Sequence, residues 1–290
     1  MSRILITGAS GLIGSHLLNM LGDSDHEVFV ISRKKMDVPH NTTTIQIDLS
    51  ENWELDSLPL KMDAIIHLAQ SDNFRDFPEK AEEIFSINTL STIKLCKYAL
   101  SAGVKNFIYA SSGGLYGTSN YIKFKEDSAI VYRPELGFYL GSKYCSEIIL
   151  DNYKALMNII CLRFFFVYGH GQRRTMLIPR LVDKVRRGEE LQVQGEHGIK
   201  LSLTHVSDAV KAILKSLKLN ESHKINIAGS EILSLKDIIL TIAEKLQTEA
   251  KIEFKPENNI DSDITADNSL MKNLLVEPSV TFDNGVLSAF

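Results

Sequence analysis

The chain has 290 residues, of which 44% are hydrophobic and 23% charged, and its formal net charge is -4. These values are typical of a globular protein with one large α/β domain or with a domain and a smaller lobe. The acidic charge balance argues against binding to nucleic acid or to an anionic membrane. Apolar runs stay well short of the roughly 20 residues that cross a bilayer, and a signal peptide is not expected, so we predict a cytoplasmic protein.

The cysteines are Cys96, Cys145 and Cys161, an odd number whose spacing matches neither a metal motif nor a redox motif. We expect all three to be buried free thiols, which favours a reducing compartment. The spacing of His170, His197 and His205 indicates no metal site either.

Short apolar runs alternate with longer helical patterns through the first 168 residues. The predicted strands are 3–7, 26–32, 44–47, 64–68, 107–110 and 159–166. The predicted helices are 11–21, 81–102 and 139–157. Such an alternation is typical of a parallel sheet that carries helices on both faces.

The alternation loosens after Gly169. The elements predicted there are helix 177–187, strand 201–206, helix 208–219, strand 224–227 and helix 235–246, with Ser234 as its cap. The tail 256–290 is polar and poorly periodic. We therefore predict an α/β fold, with a Rossmann-type doubly wound parallel sheet in residues 1–168. A smaller C-terminal α/β substrate lobe is predicted in residues 169–290, partly interleaved with the first domain.

A glycine-rich loop lies between the first predicted strand and the first predicted helix. The spacing of Gly8, Gly11 and Gly14 is G-x-x-G-x-x-G. The first glycine permits a tight turn, the second lets the backbone approach a pyrophosphate, and the third lets the helix pack closely on the sheet. A purely structural turn is the alternative. The residues of the loop predicted to bind a dinucleotide are Gly8, Ser10, Gly11, Leu12, Ile13 and Gly14.

The end of the second strand bears on which dinucleotide is bound. A carboxylate there would accept hydrogen bonds from the adenosine ribose, whereas this chain has Ser32, Arg33 and Lys34. A hydroxyl followed by cations suits a 2′-phosphate, so NADP(H) is slightly favoured over NAD(H). The alternative is that the cations form a solvated loop. Asp48 and Leu49 follow the third strand and are placed to meet the adenine edge.

A second group of polar residues lies on the last long helix of the first half. Tyr139 and Lys143 are four residues apart, so both project from one helix face. A nearby ammonium lowers the pKa of a phenol, which makes Tyr139 a plausible general acid or base. Ser111 or Ser112, at the end of the fifth strand, could hydrogen-bond the same substrate oxygen.

These motifs carry a family resemblance over essentially the whole chain. It rests on the glycine loop, the pair Asp48-Leu49 and His67-Leu68-Ala69, together with motifs further along. Those further motifs are Asn88 with Thr92, Ser111-Ser112 before Leu115-Tyr116-Gly117, Tyr139 with Lys143, Arg163 to Gly169, Gly171-Gln172-Arg173, Ile178-Pro179 and Val206-Ser207-Asp208. The chain resembles the extended short-chain dehydrogenase/reductases, of the NAD-dependent epimerase/dehydratase type that acts on nucleotide sugars.

The resemblance implies a role for each position. Tyr139 would be the acid and base, Lys143 would bind the nicotinamide ribose and lower the pKa of Tyr139, and Ser112 would be the catalytic serine. The further residues implied to bind the cofactor are Leu68, Ala69, Gln70, Asn88, Ala110, Phe164 and Val167. The residues expected to bind the substrate are Ser111, Ser112, Gly113, Phe166, Arg173 and Lys200.

The chain departs from the family at three places. Gly113 and Gly114 stand where the 4,6-dehydratases have Asp-Glu, which argues against a dehydratase. Phe166 and Leu201 stand where the family commonly has an Asn and an Arg that bind phosphate, and a phenyl ring cannot donate a hydrogen bond. The resemblance thus implies an enzyme most like a sugar 4-epimerase, with an NADPH-dependent 4-ketoreductase as the alternative.

A non-catalytic dinucleotide-binding sensor or scaffold is the alternative of another class. The family often dimerises through two long helices, so we also expect a homodimer through the helices within 82–102 and 139–157.

Overall fold

The computed structural model describes residues 1–130, 137–257 and 262–289. Its strands, in chain order, are β1 (Arg3–Thr7), β2 (Glu27–Ser32), β3 (Thr42–Gln46), β4 (Ala64–His67), β5 (Asn106–Ser112), β6 (Asn158–Phe164), β7 (Val167–Tyr168), β8 (Glu190–Gln194), β9 (Lys200–Ser202), β10 (Thr204–His205), β11 (His223–Ile227), β12 (Ile232–Ser234) and β13 (Lys251–Lys255). Its α-helices are α1 (Leu12–Gly22), α2 (Ala81–Phe85), α3 (Ser91–Ala102), α4 (Gly137–Asp151), α5 (Leu177–Arg186), α6 (Val206–Ser216), α7 (Leu235–Lys245), α8 (Ser269–Leu274) and α9 (Phe282–Gly285).

The chain divides into two compact units, each built from separate stretches of sequence. The first unit contains Met1–Leu115, Ile130–Arg163 and Ile213–Ile225. The second contains Tyr116–Ala129, Phe164–Ala212 and Asn226–Phe290. The boundary expected between residues 168 and 169 falls inside the second unit.

A central sheet has, among the described strands, the order β3-β2-β1-β4-β5-β6-β11. The pairs of β1 with β2 and β4, of β2 with β3, and of β4 with β5 are parallel. The side chains of Ile4–Ile6 in β1 are fully buried. Burial of successive side chains on both faces is typical of a parallel sheet that is covered on both sides. The order 3-2-1-4-5-6 is that of a dinucleotide-binding sheet, so the predicted Rossmann-type α/β fold is confirmed.

The second unit has its own apolar core, formed by α5, α7 and short strand pairs. β7 pairs with β10 and β8 pairs with β13, both in parallel, while β9 and β12 are antiparallel. The predicted cap of α7 is present as a capping box, in which Ser234 Oγ accepts from Asp237 N–H and the Asp237 carboxylate accepts from Ser234 N–H.

The two longest predicted helices differ from the structure. The helix expected over 81–102 contains a π-helical turn, Ser86–Leu90, between α2 and α3. The helix expected to reach Met157 ends at Asp151, where Asn152 Nδ2 donates to a terminal carbonyl, Ile148 O.

The cysteines and the C-terminal tail also differ in part from expectation. Cys96 and Cys161 are buried free thiols, but Cys145 is exposed, because it lies on the outer face of α4.

The tail contains α8 and α9, and residues 258–261 and 290 lie outside the described part of the chain. No helix in that described part is long and apolar enough to cross a membrane.

Candidate active site

The glycine loop forms a close-packed turn between β1 and α1. A Cβ on Gly8 would lie 2.7 Å from Ala69 N, and one on Gly14 would lie 2.1 Å from Gly8 O, so neither position has space for a side chain. Gly8 also has a φ of 75°, which favours glycine. Gly11 is the N-cap residue of α1, and among the described residues no side chain caps that end. Its first N–H groups are therefore available to an anion, which fits a dinucleotide pyrophosphate.

The end of β4 lies directly against this loop. The Ala69 backbone N–H donates to Thr7 Oγ1 at 3.2 Å, and Thr7 Oγ1 and His67 Nδ1 are hydrogen-bonded at 2.6 Å. His67 Nε2 lies 3.1 Å from Thr92 Oγ1. Burial lowers the pKa of His67 to about 3, so the ring is neutral and links the ends of β1 and β4 to α3.

The residues expected around the adenosine have local partners. Arg33 Nη2 lies 2.9 Å from Asp72 Oδ2. Ser32 Oγ accepts from the Lys34 backbone N–H at 3.4 Å. The Asp48 carboxylate accepts from both the N–H and the hydroxyl of Ser50, and Leu49 is buried.

Helix α4 carries the proposed acid–base residues. Tyr139 Oη donates to Gln70 Oε1 at 2.8 Å, and the Phe74 ring packs 5.1 Å from the Tyr139 ring. Burial raises the pKa of Tyr139, which reverses the expected lowering by Lys143. The Lys143 side chain is buried, its Nζ donates to Ala110 O at 2.9 Å, and burial lowers the pKa of Lys143 to about 7. Lys143 is therefore only partly protonated near neutral pH, so it lowers the pKa of the Tyr139 phenol less than a full positive charge would.

The two candidate serines of β5 have different surroundings. Ser112 is half-buried, its Oγ accepts from Gly114 N–H at 3.2 Å, and a Cβ on Gly114 would meet both Ser112 Oγ and the Leu140 side chain within 3.4 Å. Ser112 is thus beside the first turn of α4. Ser111 is buried and donates to Glu147 Oε1 at 2.5 Å. Gly113 and Gly114 offer no acidic group beside Ser112.

Asn88 lies in the π-helical turn and is fully buried. Its Oδ1 accepts from Ser71 N–H at 3.1 Å, and its Nδ2 donates to Ser142 Oγ at 2.9 Å. Asn88 O accepts from Ser146 Oγ at 2.9 Å. This side chain therefore connects the segment after β4 with α4.

The remaining predicted residues belong to the second unit. Phe166 has a φ of 35°, a conformation that asparagine adopts more readily than phenylalanine, and its side chain packs on the apolar core of that unit. Val167 lies in β7 and Phe164 ends β6, and both are half-buried. The Arg173 and Lys200 side chains are exposed.

Sequence reasoning missed three features of the first unit. They are the Gln70–Tyr139 hydrogen bond, the Phe74 ring against Tyr139, and the ion pair of Glu147 with Arg163. The four-residue spacing of Lys143 and Glu147 was the one signal present in the sequence. In the described ranges, no group of three or more His, Cys, Asp or Glu side chains could hold a metal ion.

Comparison with known proteins agrees with this geometry. The model of the NAD dependent epimerase/dehydratase family matches residues 4–228. The chain belongs to this family. The dTDP-4-dehydro-6-deoxyglucose reductase of Escherichia coli is 28% identical, over 98% of this chain and 95% of the relative.

Solved structures are similar over nearly the full length. The structure of UDP-glucuronic acid 4-epimerase from Bacillus cereus in complex with NAD has a TM-score of 0.85 and 26% identity, and covers 99% of this chain and 95% of that chain. The structure of MoeE5 in complex with UDP-glucuronic acid and NAD has a TM-score of 0.83 and 27% identity, and covers 99% and 97%.

Both of these structures hold NAD, so the preference for NADP(H) over NAD(H) is wrong. The physical reason lies in the segment after β2. The Arg33 guanidinium pairs with the Asp72 carboxylate, and the Ser32 hydroxyl accepts a backbone N–H. The sequence showed the cation but not the carboxylate 39 residues further along that pairs with it.

Proposed function

We propose that this protein is an NAD-dependent enzyme that acts on a nucleotide sugar, with epimerisation at C4 of the sugar as its reaction. The observation that carries the proposal is the arrangement of Tyr139, Lys143 and Ser112 in one unit with the glycine loop. The similarity to a UDP-glucuronic acid 4-epimerase supports the choice of reaction. A sensor or scaffold would have no need of this set of groups.

The glycine loop, Leu68, Ala69 and Ala110 would hold NAD, and Asp48 and Leu49 would lie at the adenine. NAD supplies a hydride acceptor at the sugar carbon when it is bound. The pyrophosphate would lie at the uncapped N-terminus of α1.

Tyr139 would exchange a proton with the oxygen of the reacting carbon. In its phenolate form, Oη would take the proton of the sugar hydroxyl on oxidation, and the phenol so formed would return that proton on reduction. Ser112 Oγ would hold the same oxygen, and Lys143 Nζ, fixed beside the end of β5, would hydrogen-bond the cofactor ribose. Gly113, next to Ser112 in the chain, is a proposed substrate contact.

A homodimer is part of the proposal. On α3 and just before it, Leu90, Ile93 and Leu100 are exposed, and on α4 so are Cys145 and Ile148. Their spacing puts an apolar stripe on the outer side of each helix, which is typical of an interface between copies. Three free cysteines agree with the cytoplasmic location that we predict from the sequence.

The experiment compares the wild type with Tyr139→Phe, using NAD and a panel of UDP- and dTDP-sugars that includes UDP-glucuronic acid. Epimer formation is followed by NMR, and NAD binding by thermal shift. We expect turnover to fall by at least about 100-fold while NAD binding stays unchanged, because only the proton carrier is removed. The control is Tyr121→Phe, at a tyrosine that is 87% exposed. Unaltered turnover by Tyr139→Phe would overturn the proposal.

A keto-sugar reductase is the second candidate, favoured by the similarity to the E. coli dTDP-4-dehydro-6-deoxyglucose reductase. The two activities differ in cofactor consumption. An epimerase needs only catalytic NAD, whereas a reductase oxidises one NADH for each sugar. Loss of NADH absorbance in step with product formation identifies the reductase.

A further inference from the structure

One buried carboxylate lies behind the proposed active site. Glu147 is fully buried on α4. Its Oε1 accepts from Arg163 Nε at 2.9 Å and its Oε2 from Arg163 Nη2 at 2.7 Å. Lys224 Nζ lies 3.4 Å from Oε2. The pKa of Glu147 stays below its ordinary value because of the Arg163, Ser111 and Lys224 contacts, although burial acts the other way. This carboxylate is therefore a fixed negative charge.

The hydrogen bond from Ser111 to Glu147 is one of two consecutive links between β5 and α4. Ala110 O accepts from Lys143 Nζ at 2.9 Å, and the next residue, Ser111, donates to Glu147 Oε1 at 2.5 Å. On the helix the two partners are one turn apart and follow Tyr139 by four and eight residues. The two links thus join the end of the strand to the helix face that carries Tyr139.

We propose that Ser111 and Glu147 are positioning residues, whose hydrogen bond fixes the end of β5 against α4 and so places Ser112 and Lys143 for the reaction at Tyr139. This rests on the proposed function. Successive side chains of a strand project to opposite faces, so Ser112 can face the substrate while Ser111 faces the buried carboxylate. Ser111 then acts through Glu147, and this role replaces the substrate contact expected from the sequence.

The link also keeps Lys143 in its buried environment. The titratable groups that face Lys143 are Glu147 on its own helix, Tyr109, whose ring centroid is 4.9 Å from Nζ, on β5, and His67 on β4. Arg163 and Lys224 lie against the Glu147 carboxylate, and Lys224 Nζ also pairs with Asp151 Oδ2 at 2.9 Å. If the end of β5 loosens, water reaches Nζ, and the pKa of Lys143 rises from about 7 towards its ordinary value.

The test uses Ser111→Ala, the conservative variant Ser111→Thr, and Ser216→Ala as a matched control. Ser216 is also fully buried in the first unit, and its Oγ donates to a local carbonyl, Ile213 O. Two experiments are made: steady-state kinetics, which give kcat and KM with NAD and UDP-glucuronic acid, and an NMR titration of Lys143 Nζ in the protein without added cofactor.

We expect Ser111→Ala to lower kcat about 10-fold with KM within about two-fold, because positioning and not affinity is lost. The Lys143 titration midpoint rises in the same variant. Ser111→Thr restores both values, since it keeps the hydroxyl. Ser216→Ala leaves both unchanged.

The proposal is overturned if Ser111→Ala has the Lys143 midpoint and the kcat of Ser216→Ala. It is also overturned if Ser111→Ala lowers the Tm but leaves kcat and the Lys143 midpoint unchanged. The NMR titration needs no substrate, so it decides the positioning role even where no sugar is turned over. Turnover that survives Tyr139→Phe is a separate result, which removes the proposed function and leaves the Lys143 measurement intact.

Discussion

Tyr139 Oη donates a 2.8 Å hydrogen bond to Gln70 Oε1. An acceptor at this distance stabilises the protonated phenol and adds to the effect of burial, which already raises the pKa of Tyr139. Gln70 belongs to the segment after β4 that Asn88 holds through Ser71. The protonation of the proposed catalytic residue therefore depends on a side chain 69 positions away in the chain.

The first prediction concerns the pH dependence of sugar oxidation. Gln70→Glu places a carboxylate beside the phenol and raises the pKa of Tyr139 further, so the acidic limb of kcat/KM moves to higher pH by about one unit. Gln70→Met, which is neutral and accepts no strong hydrogen bond, moves this limb to lower pH. The measurement is kcat/KM from neutral to alkaline pH. Equal midpoints in all three proteins contradict the assignment.

The second prediction concerns the glycine loop. In Gly14→Ala the new Cβ would lie 2.1 Å from Gly8 O, so the turn must shift. We expect NAD affinity to fall at least about 10-fold by calorimetry, together with a lower Tm. The control is Gly141→Ala on α4, where the added Cβ would meet no described atom within 4 Å apart from its chain neighbours and the backbone of its own helix. NAD affinity like that of the wild type in Gly14→Ala would show that the loop does not approach the pyrophosphate.

The third prediction concerns stability against pH. Burial lowers the pKa of Lys143 from 10.5 to about 7 in the folded chain, so between these values the unfolded chain binds a proton that the folded chain does not. Burial of the charged ammonium therefore lowers the free energy of unfolding by its full amount below about pH 7. This destabilisation decreases as the pH rises and disappears near pH 10.5.

Lys143→Met removes this cost. Its gain in the free energy of unfolding over the wild type is therefore largest below about pH 7 and falls above it, by up to about 1.4 kcal/mol per pH unit. Denaturant titrations at several pH values measure the difference. A difference between Lys143→Met and the wild type that does not change with pH contradicts the shift.

The fourth prediction concerns the proposed homodimer. Ile148 is 49% exposed on the outer face of α4, and Ile148→Glu would put a charge into an apolar interface. We expect the dimer dissociation constant to rise at least about 10-fold by light scattering and analytical ultracentrifugation. Leu60→Glu, at a leucine that is 89% exposed and outside these helices, is the control. A wild type that is monomeric at high concentration removes the dimer from the proposal.

The sequence by itself determined the features that depend on near neighbours. The spacing of Gly8, Gly11 and Gly14 between an apolar run and a helical stripe predicted a strand, a turn and a helix, because each glycine is required by local backbone geometry. The four-residue spacing of Tyr139 and Lys143 placed both on one helix face. The alternation of elements predicted the parallel sheet, since a sheet covered on both faces needs apolar strands.

Only the tertiary structure decided which partner each polar group takes. Asp72 pairs with Arg33, Glu147 accepts from Ser111, and Gln70 accepts from Tyr139, all across distances in the chain that periodicity does not record. The position at which α4 ends and the exposure of Cys145 also became known only from the structure. Cys145 lies on the side of α4 that does not pack against the rest of the unit. Hydrogen bonds and charges act over a few ångströms in space, so residues far apart in sequence meet only once the chain has folded.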